Sequence, residues 1–366
     1  MTQQRALRIH AGPSALRQMH EHGGLSPDMV RVIPAAAGGP KGLILGPLDR
    51  FIFGAWLPRS QQAVHLIGGS IGAWRMATAC LPDAPAAFAR LEHDYIHQEY
   101  EVPPGAKRPS AAHVSERFAQ NLELFFGGQV AQLLAHPRYR LHVVTSHGRG
   151  LLAREGRVAT PAGYLGAFVS NALHRRALSW WLERVVFSST HQGAAVALPF
   201  AVDDFRTLQV ALNAGNFMPA VQASCSIPFM LQAVHDIPGA PRGAYWDGGI
   251  TDYHLHLRYL PDAQDGVVLY PHFQKQVIPG WLDKTLRSRH RSTPALDKMV
   301  VLAPDPDWVA SLPNGKLPDR NDFVNYLSDN AGRVRVWEAA VRASAWLAEE
   351  FSEWLDRPDL SRVQPL

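Results

Sequence analysis

The sequence AVHLIGGSIGAWRMATAC, residues 63–80, joins two apolar runs through a glycine-rich turn. The first run, Ala63 to Ile67, predicts a buried β-strand, and the second, Ala73 to Cys80, predicts a helix. An earlier segment has the same order: Met29 to Ala36 predicts a strand, a glycine turn follows at 38–42, and an apolar stretch suited to a helix extends to Trp56. Two successive strand–turn–helix units predict a parallel sheet with right-handed crossovers.

Further elements are predicted along the rest of the chain. The stretch 83–138 is mostly helical in pattern, with a proline-rich break at Pro103, Pro104 and Pro109, and we interpret it as an insertion that covers a site. A helical tail is predicted from Asp322 to Asp356, with Gly332 as the candidate break. The remaining predicted strands are Leu141 to Ser146, Arg184 to Ser189, Gly243 to Trp246, Gly266 to His272 and Met299 to Ala303.

Composition excludes several classes of protein. The 366 residues are 46% hydrophobic and 19% charged, which rules out a disordered or acidic-tail protein. The net charge of +4 comes without a basic stripe interleaved with aromatic residues, so no nucleic acid is expected as a partner. No apolar run has the length of a signal peptide or of a membrane-spanning helix, so we expect a cytoplasmic protein. Cys80 and Cys225 are expected to be buried, without a disulfide.

Gly68-Gly69-Ser70-Ile71-Gly72 matches the pattern G-x-S-x-G. In this pattern the glycines permit a sharp turn that exposes a serine hydroxyl at the carboxyl end of a strand. The match lies between a predicted strand and a predicted helix, which is the context that the motif requires. The N-terminus of the following helix stabilises developing negative charge near Ser70. Ser70 is therefore the candidate nucleophile.

A serine ester hydrolase also needs amide donors directed at the tetrahedral oxyanion. The loop 38–42 follows the neighbouring strand, and its glycines let the backbone approach a substrate closely. Pro40 has no N–H, so the candidate donors are the amides of Gly38 and Gly39, with the amide of Ile71 contributing from the turn after Ser70.

Lys41 and Gly42 complete the loop and invite a competing interpretation. A Walker A phosphate-binding loop also combines glycines with a lysine. Its spacing differs from the spacing here, and no Ser or Thr follows Lys41. The loop therefore favours an oxyanion site to which Lys41 adds positive charge.

An aspartate follows the predicted strand 243–246, in Asp247-Gly248-Gly249. Asp-Gly alone is an ordinary turn signal. Taken with the two earlier motifs, however, the chain resembles the patatin-like phospholipase family, which carries a G-G-x-[KR]-G loop, a G-x-S-x-G turn and a D-G-[GA] segment in this order. The stretch Ala223 to Phe229 resembles the serine- and proline-containing segment that the family places shortly before its aspartate. The resemblance spans residues 31–273.

The resemblance implies an α/β protein with a three-layer α/β/α patatin-like fold and a mainly parallel central sheet. We expect a catalytic domain over residues 1–278, with the helical insertion at 83–138. Because the composition changes after Pro279, we also expect a mostly helical C-terminal extension over 279–366 packed on the same domain. The resemblance also implies a Ser70–Asp247 dyad that hydrolyses acyl esters of lipids, with no cofactor and no metal. The expected oxyanion residues are Gly38, Gly39 and Ile71, and the supporting motif residues are Lys41, Gly42, Gly68, Gly72, Gly248 and Gly249.

An aspartate base has consequences for the dependence of activity on pH. Because the ordinary pKa of a carboxyl is about 3.9, a Ser70–Asp247 dyad is expected to stay active at mildly acidic pH. The chain departs from the family at the bulky Ile71 and Trp74, and at 251–254, where TDYH replaces Asn-x-Pro. These differences bear on the shape of the acyl pocket.

Two other functions stay open. His254, His256 and His272 follow Asp247, as the histidine of an α/β-hydrolase triad follows its acid. A catalytically silent acyl-lipid-binding protein on the same fold is the second alternative.

Two histidine pairs and one basic run are the other candidate binding groups in the sequence. The histidine pairs His93–His97 and His254–His256 lack a full set of metal ligands, so no metal is expected. The basic run from Lys284 to Arg291 is either a solvated loop or a peripheral contact with an anionic membrane surface. The sequence predicts no oligomeric state.

Overall fold

The computed structural model describes residues 5–101, 109–261 and 265–366, so the predicted break at Pro103 and Pro104 lies outside the described residues. The strands are β1 (Leu7–Ala11), β2 (Val30–Ala35), β3 (Val64–Gly69), β4 (Tyr139–Gly148), β5 (Leu182–Ser188), β6 (Thr190–His191), β7 (Ala194–Ala195), β8 (Thr207–Ala211), β9 (Val234–His235), β10 (Ala244–Asp247), β11 (Val267–Pro271), β12 (Met299–Pro304) and β13 (Gln364–Pro365). The α-helices are α1 (Pro13–Glu21), α2 (Gly46–Phe51), α3 (Ile71–Ala79), α4 (Ala84–His97), α5 (Ala111–Phe126), α6 (Val130–Leu134), α7 (Ala159–Leu173), α8 (Phe217–Ser224), α9 (Gly249–Asp252), α10 (Pro306–Ser311), α11 (Asn321–Asn325), α12 (Asn330–Ala343) and α13 (Ala345–Asp356).

A single large sheet organises the chain. Its main path runs β13-β1-β12-β11-β2-β3-β4-β10-β9, and β5 pairs with β4 and with β8. The strands from β12 to β4 are parallel, whereas β1, β5 and β10 run antiparallel to a neighbour. Helices cover both faces, so the predicted α/β class and the mainly parallel central sheet are confirmed. Burial on both faces explains why the central strands consist almost wholly of apolar residues.

Strand β4 places the ends of two other strands opposite each other. β3 runs parallel to β4 over Tyr139 to Val144, with Gly69 opposite Val144. β10 runs antiparallel to β4 over Thr145 to His147, with Asp247 opposite Thr145. Because β5 occupies the other edge of β4, both strands share one edge and their carboxyl ends face each other. The residue that follows β3 and the last residue of β10 therefore meet.

The C-terminal part of the chain contributes to the same sheet. β12 lies between β1 and β11, and β13 pairs with β1. The predicted break of the tail at Gly332 is wrong, because Gly332 lies inside α12. Its N–H donates to Asp329 Oδ1 at 2.8 Å, and a Cβ at position 332 would lie 2.0 Å from Asp329 Oδ2. The helix therefore begins after Asp329, which caps it, and glycine lets the capping carboxylate approach.

Two further sequence expectations concern single residues and spans. Cys80 and Cys225 are both buried and unpaired, as expected. Among the described residues, no helix combines the length and the apolar character needed to cross a bilayer.

Candidate active site

Ser70 lies in the sharp turn between β3 and α3. Its φ of 56° falls in the left-handed region that non-glycine residues rarely occupy. The turn is tightly packed: a Cβ on Gly72 would lie 1.9 Å from the carbonyl oxygen of Ala35, and a Cβ on Gly68 would lie 2.3 Å from the nitrogen of Ala73. Both motif glycines are therefore needed for the close approach of strand and helix, which holds the strained serine in place.

Ser70 and Asp247 contact each other directly. The Oγ atom of Ser70 donates to Asp247 Oδ2 at 2.7 Å, and the second carboxylate oxygen accepts from the N–H of Gly249 at 2.7 Å. Both side chains are buried, with 3% of Ser70 and 5% of Asp247 exposed. Asp247 is the last residue of β10. Gly248 follows it, and a Cβ on Gly248 would lie 2.0 Å from the carbonyl oxygen of Val144. The arrangement pairs a serine hydroxyl with a buried proton acceptor.

The environment of Asp247 changes its acidity. Burial raises the pKa of Asp247 to about 6 from an ordinary value of 3.8, because the charged form is desolvated. The hydrogen bond from Ser70, the positive charge of Arg320 and the N–H of Gly249 act in the opposite direction. The raised pKa makes Asp247 a stronger base than a solvated carboxylate, and it moves the expected loss of activity in acid to about pH 6, above the range implied by the ordinary pKa.

A short segment braces the turn that carries Ser70 and the end of the strand that carries Asp247. Ser224 Oγ accepts from the N–H of Ser70 at 2.9 Å and donates to the carbonyl oxygen of Val144 at 2.6 Å. Two residues later, the carbonyl oxygen of Ser226 accepts from the N–H of Asp247 at 2.9 Å. This is the segment 223–229 that the resemblance singles out, and its hydrogen bonds connect the turn after β3 to the end of β10.

The predicted oxyanion residues lie beside this pair. Gly38 and Gly39 begin the short 3-10 helix Gly39–Leu45, and Ile71 is the first residue of α3, so its N–H has no intrahelical acceptor. Gly39 has a φ of 57°, and a Cβ on Gly38 would lie 2.5 Å from the ring of Phe273. Lys41 lies over the same ring, with Nζ 5.5 Å from its centroid. Gly42 has room for a Cβ, so no close contact requires glycine at this position.

Arg320 is a site residue that sequence reasoning missed. A Cβ on Gly39 would lie 3.0 Å from Arg320 Nε, and Arg320 lines a cavity together with Asp247. Its charge lowers the pKa of Asp247, and with Lys41 it also lowers the pKa of Lys284, after the larger effect of burial on that lysine. No motif marks Arg320, because it lies between β12 and α12, far along the chain from the three glycine-containing motifs. Arg320 therefore acts electrostatically on Asp247 and, together with Lys41, on Lys284.

Two cavities flank the dyad. The first, of about 340 Å³ including its open mouth, is lined by Gly39, Gly42, Leu43, Gly46, Asp49, Ile71, Arg75, Phe88, Leu91, Glu92 and Tyr95. The second, of about 270 Å³, is lined by Ala37, Ile227, Pro228, Asp247, Gly249, Ile250, Tyr253, Trp281 and Arg320. The lining of the first cavity includes two of the three predicted oxyanion residues, Gly39 and Ile71, and helix α4 of the predicted insertion forms part of its wall.

The histidines that follow Asp247 have other contacts. His254 Nδ1 lies 3.0 Å from the carbonyl oxygen of Gln276, and burial lowers its pKa well below 6.5. His256 lies within hydrogen-bond distance of Val277 and Thr293, and His272 of Gln274. Within the described residues, none of the three imidazoles hydrogen-bonds to Ser70 or Asp247. This geometry does not support a Ser-Asp-His triad.

The pair His93–His97 and part of the basic run contact other groups of the protein. His93 and His97 stack at a centroid distance of 4.2 Å, and no group of three or more His, Cys, Asp or Glu side chains in the described ranges is arranged to hold a metal. In the basic run, Lys284 Nζ lies 5.2 Å from the ring centroid of Tyr253, and Arg289 pairs with buried Asp283 at 2.7 Å. These two members of the run therefore pack onto the protein.

Comparisons with other proteins give distant structural likenesses. No protein-family model matches the sequence, and the comparison with curated proteins finds no match. Among solved structures, VipD from Legionella pneumophila is 13% identical over 96% of this chain and 72% of its own, with a TM-score of 0.37. Human GIVD cytosolic phospholipase A2 is 13% identical over 99% of this chain and 67% of its own, with a TM-score of 0.31.

Proposed function

We propose that the protein is a serine hydrolase that cleaves acyl esters of lipids through a Ser70–Asp247 dyad. The observation that carries the proposal is the 2.7 Å hydrogen bond from Ser70 Oγ to Asp247 Oδ2, made in a strained turn at the carboxyl ends of two strands. Strained backbone that surrounding packing enforces is typical of functional sites. The motifs that make the chain resemble patatin-like phospholipases include both residues.

In the proposed reaction Ser70 Oγ attacks the ester carbonyl carbon while its proton passes to Asp247 Oδ2. The carbonyl oxygen becomes an oxyanion, for which the amides of Gly38, Gly39 and Ile71 are the candidate donors. Collapse of this intermediate breaks the bond to the alcohol oxygen, which takes the proton from Asp247 and leaves. Water then attacks the acyl-enzyme with Asp247 as base, which releases the fatty acid and restores Ser70.

Part of the wall of the cavity beside Ile71 is apolar, and we take this side as the entry for the substrate's acyl chain. Leu43, Phe88, Leu91 and Tyr95 form much of its lining. An acyl chain gains free energy when it leaves water for such a surface, about 0.8 kcal/mol for each buried methylene. We therefore expect the rate to increase with acyl length until the cavity is filled.

Arg320 in the Asp247 cavity, and the two lysines that interact with it electrostatically, favour an ester that also carries a negative charge. Lys41, Lys284 and Arg320 make no ion pair of 4.0 Å or less with an acidic side chain in the described part of the chain. A phosphate or carboxylate on the substrate would supply the missing counter-charge. Hydrolysis of a phospholipid and of a neutral acylglycerol with the same acyl chains compares the two substrate classes, and Arg320→Gln is expected to reduce the preference for the phospholipid.

The test of the reaction is hydrolysis of p-nitrophenyl esters of increasing chain length by the wild type, Ser70→Ala and Asp247→Asn, with fluorophosphonate labelling of each. Both variants are expected to lose turnover, with the label on Ser70 of the wild type. His272→Gln serves as the control for a histidine-dependent mechanism and is expected to retain activity. A folded wild type that neither turns over nor takes the label, yet binds lipid, would favour the acyl-binding alternative.

A further inference from the structure

Helix α7 has the reverse of the usual amphipathic arrangement. Its fifteen residues, ATPAGYLGAFVSNAL, include no charged side chain. The face that packs on the protein carries the buried polar residues Thr160, Tyr164 and Asn171. Asn171 Nδ2, for example, donates to buried Asp283 at 2.7 Å. The helix is therefore held to the protein by polar contacts as well as by apolar ones.

The opposite face is apolar and exposed. Leu165 is 65% exposed, Val169 is 50% exposed and Leu173 is 82% exposed, and Phe168 lies among them at 39%. Just before the helix, Val158 is 80% exposed and extends the same stripe, since 158, 165, 169 and 173 follow helical spacing. We call these five residues the α7 face. A contiguous exposed apolar surface marks a site of interaction with a protein or a membrane.

Basic residues lie at both ends of the α7 face. Arg154 and Arg157 precede the helix and are exposed, and Arg176 follows it and is also exposed. Arg154 and Arg157 form no ion pair with described residues, and the nearby Glu155 accepts a hydrogen bond from the N–H of Ala233. Trp180, which is 72% exposed, follows in the next segment. Apolar side chains with an exposed tryptophan and flanking arginines are typical of surfaces that bind the boundary of an anionic bilayer.

The inner side of α7 packs against residues that border the candidate active site. Tyr164, on the inner side of α7, packs against Trp246 at a centroid distance of 5.7 Å, and Trp246 precedes Asp247. Tyr164 also contacts Phe229 at 5.8 Å. Phe229 is 49% exposed and follows Pro228, which lines the cavity that contains Asp247. Aromatic contacts on the inner side therefore hold α7, and with it the exposed α7 face, next to the segment that lines the Asp247 cavity.

We propose that the α7 face, with Trp180 and the flanking arginines, binds the surface of an anionic lipid bilayer and places the dyad cavity at the lipid boundary. Repulsion between like charges disfavours a second copy of this chain as the partner that covers the α7 face. Two α7 faces packed against each other would bring Arg154, Arg157 and Arg176 of both copies together, whereas anionic headgroups neutralise them. The helix lies on the membrane without crossing it. Binding by this surface does not require turnover at Ser70.

Co-sedimentation with vesicles tests the surface, with Ser70→Ala as the background so that no lipid is consumed. The vesicles contain phosphatidylcholine alone or phosphatidylcholine with phosphatidylglycerol. The double variant Leu165→Ser, Leu173→Ser is expected to weaken binding to the mixed vesicles about tenfold or more, because each leucine loses the gain from leaving water. The matched control is Leu124→Ser, Leu327→Ser, since Leu124 is 74% and Leu327 55% exposed outside the α7 face. The control is expected to bind like the background protein.

Two further measurements test the charge and the position of the surface. Arg154→Gln and Arg157→Gln are each expected to weaken binding to the anionic vesicles about fivefold, with a smaller effect on phosphatidylcholine alone. Trp180 fluorescence is expected to shift to shorter wavelength on binding, and Trp180→Phe to remove that shift. Trp346→Phe is the control, because Trp346 is exposed on α13.

Several outcomes would overturn the proposal. Unchanged binding by the double leucine variant, or an equal loss in its control, places the lipid contact elsewhere. A dimer in sedimentation velocity that Leu165→Ser disperses, without vesicle binding, assigns the α7 face to a second copy. Circular dichroism verifies that each variant is folded. The leucine variants in the wild-type Ser70 background should still hydrolyse a short water-soluble ester, so failure of lipid binding and failure of the dyad are distinguishable.

Discussion

The hydroxyl of Ser224 accepts a hydrogen bond from the backbone N–H of Ser70, a residue 154 positions earlier in the chain, at 2.9 Å. Ser224→Ala leaves this buried N–H and the carbonyl oxygen of Val144 without their partner, so we expect unfolding to become easier by about 1–3 kcal/mol. Because the turn that carries the nucleophile loses a brace, ester turnover should also decrease, roughly tenfold. Chemical denaturation and steady-state kinetics measure the two effects.

The control for Ser224 lies two residues away. The hydroxyl of Ser226 donates to the carbonyl oxygen of Gln222 at 3.0 Å and does not touch either catalytic turn. Ser226→Ala should therefore leave turnover close to that of the wild type. Equal losses of turnover in the two variants would show that Ser224 does not act through Ser70.

The rate of ester hydrolysis should rise with pH through about 6. Burial raises the pKa of Asp247 to about 6, and only the ionised carboxylate accepts the proton of Ser70. Because the charge of Arg320 lowers this pKa, Arg320→Gln should move the acid limb of kcat/KM to higher pH. Arg291→Gln, at an exposed arginine, should leave the limb in place. A limb that stays fixed in Arg320→Gln would separate Arg320 from the base.

Asp247→Asn should stabilise the folded protein at neutral pH while it abolishes turnover. The pKa of Asp247 is higher in the folded protein, about 6, than its ordinary value of 3.8, so the folded state binds the proton more tightly than the unfolded chain. The carboxyl therefore lowers stability increasingly as pH rises from about 4 to about 6, by at most about 3 kcal/mol, and the full effect remains above pH 6. Tm measured against pH should show the gain in Asp247→Asn vanish near pH 4.

Two neighbouring glycines should differ in their tolerance of a methyl group. Gly72→Ala places a Cβ 1.9 Å from the carbonyl oxygen of Ala35, so strand and helix must separate, and we expect a loss of about 3 kcal/mol or more. Gly69→Ala is the matched change, because its nearest contacts are 3.7 Å away. It should cost less than about 1 kcal/mol. Thermal unfolding of both variants compares them, and equal Tm values would contradict the packing of the turn.

A buried ion pair near the site should matter more than an exposed one. Arg184 binds Asp252 through two hydrogen bonds, of 2.7 and 2.6 Å, and both side chains are fully buried. Arg184→Met leaves the carboxylate buried without that partner, so we expect a loss of about 3–5 kcal/mol. Arg258→Met removes an exposed pair with Asp203 and should change stability by less than about 1 kcal/mol. Denaturant unfolding of the two variants measures the contrast.

Local sequence patterns singled out Ser70 and Asp247, which the structure brings into hydrogen-bond contact, because each is flanked by glycine at the end of an apolar strand. They were also sufficient for the parallel strands β2, β3, β11 and β12, whose apolar runs reflect burial on both faces. They did not show that β10 runs antiparallel to β4, since strand direction depends on long-range pairing.

Other features depend on contacts between distant segments. Arg320 reaches Gly39 only because the chain after β12 returns past the site, and no local pattern encodes that path. The carboxylate of Asp252 likewise has a distant partner, Arg184, which no local pattern predicts. The side of α7 that faces the protein is also set by contacts between distant segments, such as the one between Asn171 and Asp283.

The end-to-end meeting of β3 and β10 on one edge of β4 has a consequence for biosynthesis. Ser70 and Asp247 are separated by 177 positions, and the strand that receives both lies between them in the sequence. A nascent chain therefore contains Ser70 well before Asp247 has been translated. If the proposed dyad carries the activity, hydrolysis can begin only after β10 has been translated and has paired with the free half of the β4 edge.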